Sequence, residues 1–140
     1  MASQPCPEFP GSFRFEFDGV NRILLLRLKG RMTEETLREI YTEGGRYWTA
    51  TIPNAAIVDC SSVTETTISS DHILGLARRK PMPGTVGRPR IIVAPTTLQY
   101  GLARMFQLGS EHERPLTVVH TMDEALAELG IQSPHFEPLE

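Results

Sequence analysis

Residues 55–79 read AAIVDCSSVTETTISSDHILGLARR, and this stretch decides the fold class of the chain. A short apolar run ends at Asp59, which is typical of a buried strand. Apolar residues then recur from Ile73 onward at the spacing of a helix with one apolar face. The pattern predicts a buried strand followed by an amphipathic helix that begins near Ser69 or Ser70, which is the repeating unit of α/β folds.

The start of this helix carries more hydroxyl groups than capping requires. Thr66, Thr67, Ser69 and Ser70 lie within five positions, whereas one Ser or Thr is enough to cap a helix. Exposed backbone N–H groups and the positive end of the helix dipole favour negative charge there. With Asp59 at the end of the preceding strand, these hydroxyl residues are our candidates for phosphorylation or for binding a partner.

Further strands and helices alternate on both sides of this stretch. Upstream, the alternating run Phe13–Phe17 and the apolar run Ile23–Leu28 flank turn residues, which predicts a β-hairpin. A helix with Thr33 as N-cap follows and is predicted to end near Trp48.

Downstream, the same strand and helix unit occurs twice more. A strand at Ile91–Ala94 precedes a helix opened by the capping-box pattern Thr96–Gln99, with an apolar stripe that begins at Leu98. A strand at Leu116–Val119 precedes a second capping box, Thr121–Glu124.

The predicted order is ββαβαβαβα, and right-handed crossovers make the later strands parallel. The sequence thus predicts an α/β fold with a mixed central sheet opened by an antiparallel hairpin. We expect one domain at residues 13–130, with tails at residues 1–12 and 131–140.

Composition excludes several classes of function. The formal net charge is −3 with both signs interspersed, so no basic surface for nucleic acid is expected. The longest apolar run, Ile23–Leu26, is far shorter than the roughly 20 residues of a transmembrane helix, and the start of the chain does not resemble a signal peptide. We therefore expect a cytoplasmic protein without a transmembrane segment.

The titratable residues do not form a pattern typical of catalysis. The four histidines and two cysteines lack the spacing of metal ligands, and no glycine-rich phosphate loop is present, so no metal or cofactor is expected. Asp59, Ser69 and His72 are the residue types of a hydrolytic triad, but no Gly-x-Ser-x-Gly elbow precedes a helix. We expect no enzymatic activity.

A second candidate surface lies at the carboxyl ends of the strands, where open α/β sheets bind ligands. Thr33 and Thr96 begin helices at that edge, and ordinary capping also explains both. Tyr100 and Arg104 lie one helical turn apart, away from the apolar stripe, either facing a partner or packing against each other.

Four short segments, together with this element order, resemble one family. They are Gly30-Arg-Met-Thr33 after the second strand, Val58-Asp-Cys-Ser61, Tyr100-Gly-Leu-Ala-Arg-Met-Phe106 and Asp123-Glu-Ala-Leu-Ala-Glu-Leu-Gly130. The chain resembles the STAS domains of anti-sigma-factor antagonists and sulfate transporters, in particular their sporulation-antagonist-like bacterial branch. The resemblance covers about Phe13 to Gly130.

The resemblance implies a non-enzymatic domain that binds a regulatory protein, under the control of serine phosphorylation at the start of the second helix. The phosphorylated members carry Asp-Ser-Ser-Gly there, whereas this chain reads Thr66-Thr-Ile-Ser-Ser-Asp71. Ser69 and Ser70 are the nearest matches, and Thr66 and Thr67 are the next.

The resemblance also leaves an alternative function open. Members of this branch are likened to CRAL-TRIO lipid-transfer domains, which implies a carrier of a small molecule or lipid. A deep apolar cavity of a few hundred cubic ångströms would distinguish a carrier from a partner-binding domain. The oligomeric state is also left open, a homodimer included.

Overall fold

A computed structural model describes residues 9–77, 87–109 and 116–139. The strands are β1 (Phe13–Asp18), β2 (Ile23–Met32), β3 (Ala55–Thr66), β4 (Arg90–Val93), β5 (Leu116–Val119) and β6 (Glu137–Pro138). The helices are α1 (Glu34–Thr51), α2 (Ser70–Ala77), α3 (Thr97–Gly109) and α4 (Met122–Glu128).

The strands form one mixed sheet in the order β5-β4-β3-β2-β1-β6. The pairs β2–β3, β3–β4 and β4–β5 are parallel, and β1 pairs antiparallel with β2. This arrangement confirms the predicted α/β fold with a sheet opened by an antiparallel hairpin. The parallel strands place the starts of α1, α2, α3 and α4 at their carboxyl ends.

Two apolar cores lie on opposite faces of the sheet. Since side chains alternate along a strand, successive residues of β2 contribute to different cores. The core on the α1 face contains Phe15, Leu24, Leu26, Leu28, Met32, Ile40, Trp48 and Val63. The core on the α4 face contains Ile23, Leu25, Ala55, Ile57, Ile91, Val93 and Ala125.

Strand β3 is longer than the sequence predicts. It continues beyond Asp59 to Thr66, because the hydroxyl-rich residues pair with the second half of β2 after register shifts beside Lys29 and Gly30. Gly30 supplies the positive φ of 71° that this irregular pairing requires. The polar composition of the stretch favours a loop, but β-branched residues such as Val63 extend the strand instead.

Residues at both ends of the chain also contribute to the sheet or its packing. Strand β6 was not predicted; it pairs with β1, and the Leu139 N–H donates to the Phe15 carbonyl at 2.8 Å. Ile131 and Phe136 pack against the core on the α4 face. Phe9, from the predicted N-terminal tail, is buried, while residues 1–8 lie outside the described part.

Helix α3 begins with the predicted capping box. The Gln99 N–H donates to the Thr96 hydroxyl at 3.2 Å, and the Thr96 N–H donates to the Gln99 side chain at 3.3 Å. Leu98 does not belong to the inward face as predicted, because it is 62% exposed. The neighbouring Gln99 faces the sheet instead, and its side-chain amide donates to the carbonyls of Cys60 and Val63 on β3.

Within the described ranges, no helix is both long enough and apolar enough to cross a bilayer.

Candidate functional site

The start of α2 exposes Ser69 and Ser70 to solvent. The Ser69 hydroxyl accepts a hydrogen bond from the His72 N–H at 3.1 Å, so Ser69 is the N-cap of the helix. Ser69, Ser70 and Asp71 are all exposed. Of the four hydroxyl residues that the sequence offers as phosphorylation candidates, Ser69 and Ser70 are therefore accessible at the surface.

Glu34, in the first turn of α1, lies against this helix start. Its Oε2 accepts hydrogen bonds from the Ser69 backbone N–H and hydroxyl, both at 3.5 Å. Its Oε1 lies 3.6 Å from Nδ1 of His72. A carboxylate of the chain itself thus occupies part of the space that an anion would take at the positive end of α2.

Sequence reasoning missed Glu34 because it is 35 positions from Ser69 in the chain. The residue looks like an ordinary acidic residue in the first turn of a helix, where it complements the dipole of its own helix. Only the parallel pairing of β2 with β3, which ends at Met32 and Thr66, brings the two helix starts together.

The remaining threonines at this edge have structural partners. The backbone N–H of Thr67 donates to the Met32 carbonyl at 3.0 Å, and Thr66 pairs with Met32 at the end of β3. The Thr33 hydroxyl caps α1 by accepting from the Thr36 N–H at 3.1 Å. Of these threonines, Thr67 is exposed.

Asp59 does not lie with these residues at the start of α2. It is buried within β3, on the same face as Ile57, and its carboxylate lies 3.4 Å from the Arg27 guanidinium. Arg27 also donates to Glu16, at 2.8 Å, and Glu16 accepts from Arg14 at 2.6 Å. These four residues form a partly buried ion network across β1, β2 and β3, so Asp59 has a structural explanation.

Tyr100 and Arg104 make separate contacts. The Tyr100 ring stacks on His120 with 4.4 Å between ring centroids and an interplanar angle of 2°. Arg104 is exposed and donates to Gln107 on its own helix. The structure therefore does not show the two side chains packed on each other.

A large apolar cavity lies on the α1 face of the sheet and has a volume of about 470 Å³. Its floor is formed by the sheet, and its walls by α1, α2 and α3. Residues from the walls include Leu37, Ile40, Trp48, Ile73, Leu76, Leu102, Ala103 and Phe106. Apolar cavities of this size are typical of small-molecule sites.

Two chemically distinctive residues line the cavity. Burial, and to a lesser degree the charge of Asp59, raises the pKa of Cys60 to about 12, so the thiol is neutral at physiological pH. The guanidinium of Arg90 lies over the Phe106 ring, 5.6 Å from its centroid. Within the described ranges, no group of three or more His, Cys, Asp or Glu residues is arranged to hold a metal ion.

Comparison with solved structures identifies the fold. The unphosphorylated form of the anti-sigma factor antagonist SpoIIAA is 17% identical, with a TM-score of 0.56. The match covers 85% of this chain and 98% of SpoIIAA. This chain has a STAS-like fold. No protein-family model matches the sequence, and no curated protein matches it significantly.

A second structure shares the STAS-like fold at a similar distance. It is an uncharacterized protein of the DUF3478 family with a SpoIIAA-like fold from Shewanella loihica PV-4. The two chains are 16% identical with a TM-score of 0.55, and the match covers 90% of this chain and 99% of the other. At such identities the likeness is one of fold, so function must be argued from the site.

Proposed function

We propose that this protein is a non-enzymatic, cytoplasmic regulatory domain of the STAS type that binds a regulatory protein through the start of α2. The observation that carries the proposal is the exposed pair Ser69 and Ser70 at the first residues of a helix in a SpoIIAA-like fold. SpoIIAA is an anti-sigma factor antagonist whose structure was described in an unphosphorylated form, which supports a regulatory partner and a phosphorylation switch.

The two serines offer different environments for a phosphate. A phosphate adds about −1.5 to −2 charges and three acceptor oxygens. At Ser70 it would lie in the first turn of α2, where the helix dipole favours negative charge. At Ser69 it would also approach the Glu34 carboxylate, which is within hydrogen-bond distance of the hydroxyl. Modification at Ser70 therefore changes the partner surface with less effect on the fold.

Co-purification from the native cell tests this proposal. The wild-type domain should retain one protein specifically, Ser70→Asp should weaken that complex, and Glu128→Ala on the exposed part of α4 should leave it unchanged. Mass spectrometry of the peptide that contains Ser69 and Ser70 reports phosphorylation on the same sample. Equal retention by both variants, with no phosphate on that peptide, would contradict the switch.

The arrangement around Ser69 supports the non-enzymatic part of the proposal. His72 faces Glu34 through Nδ1, and the Ser69 hydroxyl contacts Glu34 instead of the His72 imidazole. Asp59 pairs with Arg27 instead of orienting a histidine. Nucleophile, base and orienting acid are therefore not in series, and the purified protein should hydrolyse neither ATP nor p-nitrophenyl acetate.

The cavity favours a second candidate function, the binding of a small apolar molecule. Its volume of about 470 Å³ and its predominantly apolar lining meet the requirement for a carrier. Native mass spectrometry of the purified protein should reveal a bound molecule that organic solvent extracts. Ala103→Leu, which extends a side chain into the cavity, should no longer retain this molecule. If Ala103→Leu and wild type retained the molecule equally, its binding site would lie outside the cavity.

A further inference from the structure

Two joined turns at the amino ends of β2 and β3 have an unusual backbone. Of the described residues other than glycine, Arg22 and Ile52 alone have a positive φ, with values of 58° and 47°. Arg22 directly precedes β2, and Ile52 is the C-cap of α1. The Arg22 guanidinium donates to the Ile52 carbonyl at 2.9 Å and so connects the two turns. They lie at the opposite end of the sheet from the start of α2, and neither residue lines the cavity.

Ile52 occupies its position at a cost in backbone strain. A left-handed residue at the end of a helix is usually Gly or Asn, because the Cβ of other L-residues crowds the following carbonyl. A β-branched residue is a genuine outlier in this conformation. The side chain gains little burial in return, since Ile52 is 61% exposed. Helix capping and core packing therefore do not explain an isoleucine here, and residues held in such conformations cluster at functional sites.

A second exposed aliphatic residue lies in the adjoining turn, between β1 and β2. Val20 is 87% exposed, and its backbone N–H donates to the Asp18 carboxylate at 3.0 Å, which holds the turn in place. Asp18, the acidic residue nearest to Val20 in the sequence, is itself fully buried and adds no negative charge to the surface.

Two arginines accompany these aliphatic side chains. Arg22 is exposed, and its carbonyl accepts from the Asn54 N–H at 2.7 Å. The half-buried Arg88 donates from its guanidinium to the Asn54 side chain at 3.1 Å. Asn54 therefore places the Arg88 cation beside the turn that contains Arg22.

We propose that Val20, Arg22, Ile52 and Arg88 form a docking surface, the amino-end patch, for a protein segment with acidic residues beside an apolar one. The hydrogen bonds of the two turns keep the aliphatic side chains in place, so little ordering is needed on binding. The two guanidinium groups complement the acidic residues of the segment. A lipid surface fits less well, because recognition of anionic lipids typically uses about four to eight Lys or Arg residues. The inference does not depend on either proposed function.

Stability and binding should respond in opposite directions at Ile52. Ile52→Asn introduces a residue that tolerates the left-handed backbone, so its melting temperature should exceed that of wild type by about 2 °C or more. The same variant should bind the partner less well, because the apolar side chain is lost. Ile52→Val keeps both the β-branched strain and the apolar contact, and it should match wild type in both measurements. A melting temperature of Ile52→Asn no higher than that of wild type overturns the proposal.

Photo-crosslinking from Val20 tests the partner and its chemistry. Benzoylphenylalanine replaces Val20 in one protein and Glu39, exposed on α1, in another, and both are irradiated in the native cell. We expect one crosslinked protein from position 20 only, and mass spectrometry should find Asp or Glu beside an apolar residue in its crosslinked peptide. Ile52→Asn and Arg88→Glu should each reduce this crosslink by about fivefold or more. Arg31→Glu, the same charge reversal at the opposite end of β2, should leave it unchanged.

A charge exchange shows whether the acidic residues of the partner meet the patch directly. With Arg88→Glu in this chain, replacing those acidic residues of the partner by Lys should restore the crosslink. A crosslink that survives Ile52→Asn or Arg88→Glu overturns the proposal. So does the absence of a crosslink specific to position 20, or a product that consists of lipid or of a second copy of this chain.

Discussion

Glu34 accepts hydrogen bonds from the backbone N–H and the hydroxyl of Ser69, both at 3.5 Å, across 35 positions of the chain. This relationship joins the first turn of α1 to the cap of α2. It places a negative charge beside the hydroxyl that the sequence marks as a phosphorylation candidate. The consequences for stability differ between Ser69 and its neighbour Ser70.

We expect Ser69→Asp to be less stable than Ser70→Asp. The Asp at position 69 faces Glu34, whereas the Asp at position 70 lies in the first turn of α2 and complements the helix dipole. The difference in the free energy of unfolding should be about 0.5 kcal/mol at low salt, because both groups are partly solvated. Urea denaturation measures it, and adding salt should reduce it.

Combining Ser69→Asp with Glu34→Gln provides the control for that comparison. The double variant should be as stable as Ser70→Asp with the same Glu34→Gln change. A difference that persists without the Glu34 charge would show that position 69 is disfavoured for another reason.

The ion network across β1, β2 and β3 should be essential to stability. Glu16 is nearly fully buried and accepts from both Arg14 and Arg27. Glu16→Ala removes the buried carboxylate that both cations share and leaves Arg27 with Asp59 alone, so it should destabilise the domain by about 3 kcal/mol. In chemical denaturation, Glu65→Ala should lower the free energy of unfolding by no more than about 0.5 kcal/mol, because its partner Arg31 is exposed and 3.8 Å away. Similar losses in the two variants would contradict this role for the network.

Helix α4 should depend on its apolar face. Leu126 packs against the core on the α4 face, while Glu128 is exposed on the same helix. Burying a leucine side chain contributes roughly 1.5–3 kcal/mol, so Leu126→Asp should lower the melting temperature strongly. Glu128→Ala should leave it nearly unchanged in thermal denaturation followed by circular dichroism. Equal melting temperatures for Leu126→Asp and Glu128→Ala would contradict the packing of Leu126 against this core.

Asp18 should make stability fall in acid. Burial raises the pKa of Asp18, but hydrogen bonds from Asn21, His135 and Val20 outweigh burial and hold the pKa below its ordinary value of 3.8. The unfolded chain therefore binds the proton more tightly. The stabilisation that ionised Asp18 contributes is complete above the pKa of the unfolded chain. It is lost as the pH falls through the lower pKa of the folded protein.

Denaturation at several pH values checks this dependence. Asp18→Asn should be less stable than wild type at neutral pH, because the hydrogen bonds to a charged acceptor are lost. Its stability should then change less between about pH 5 and lower pH, since the variant lacks the titrating group. If the free energy of unfolding changed with pH by the same amount in both proteins, Asp18 would be excluded as a source of acid sensitivity.

Local signals made most of the fold predictable from the sequence. The Thr121–Glu124 capping box forms as expected, with the Glu124 N–H donating to the Thr121 hydroxyl at 3.1 Å. Alternation in β1 and helical spacing in α1 likewise depend on near neighbours, which a single sequence displays directly. The length of β3 was not predictable in the same way, because its second half forms through pairing with β2.

The candidate site was only partly predictable for the same reason. Ser69 and Ser70 were found because a helix start has a local signature. Glu34 reaches Ser69, and Arg27 reaches Asp59, only through the parallel pairing of β2 with β3. The cavity depends on the separation of three helices above the sheet, which no short segment of sequence encodes.

Site-specific photo-crosslinking at Ser70 tests the central claim, partner binding at the start of α2, most directly. Benzoylphenylalanine is placed at Ser70 in one protein and at Glu128 on α4 in another, and both are irradiated in the native cell. The account predicts one specific crosslinked protein at position 70, absent at position 128 and reduced when Ser69→Asp is added. No crosslink at position 70, or the same products at both positions, would contradict it.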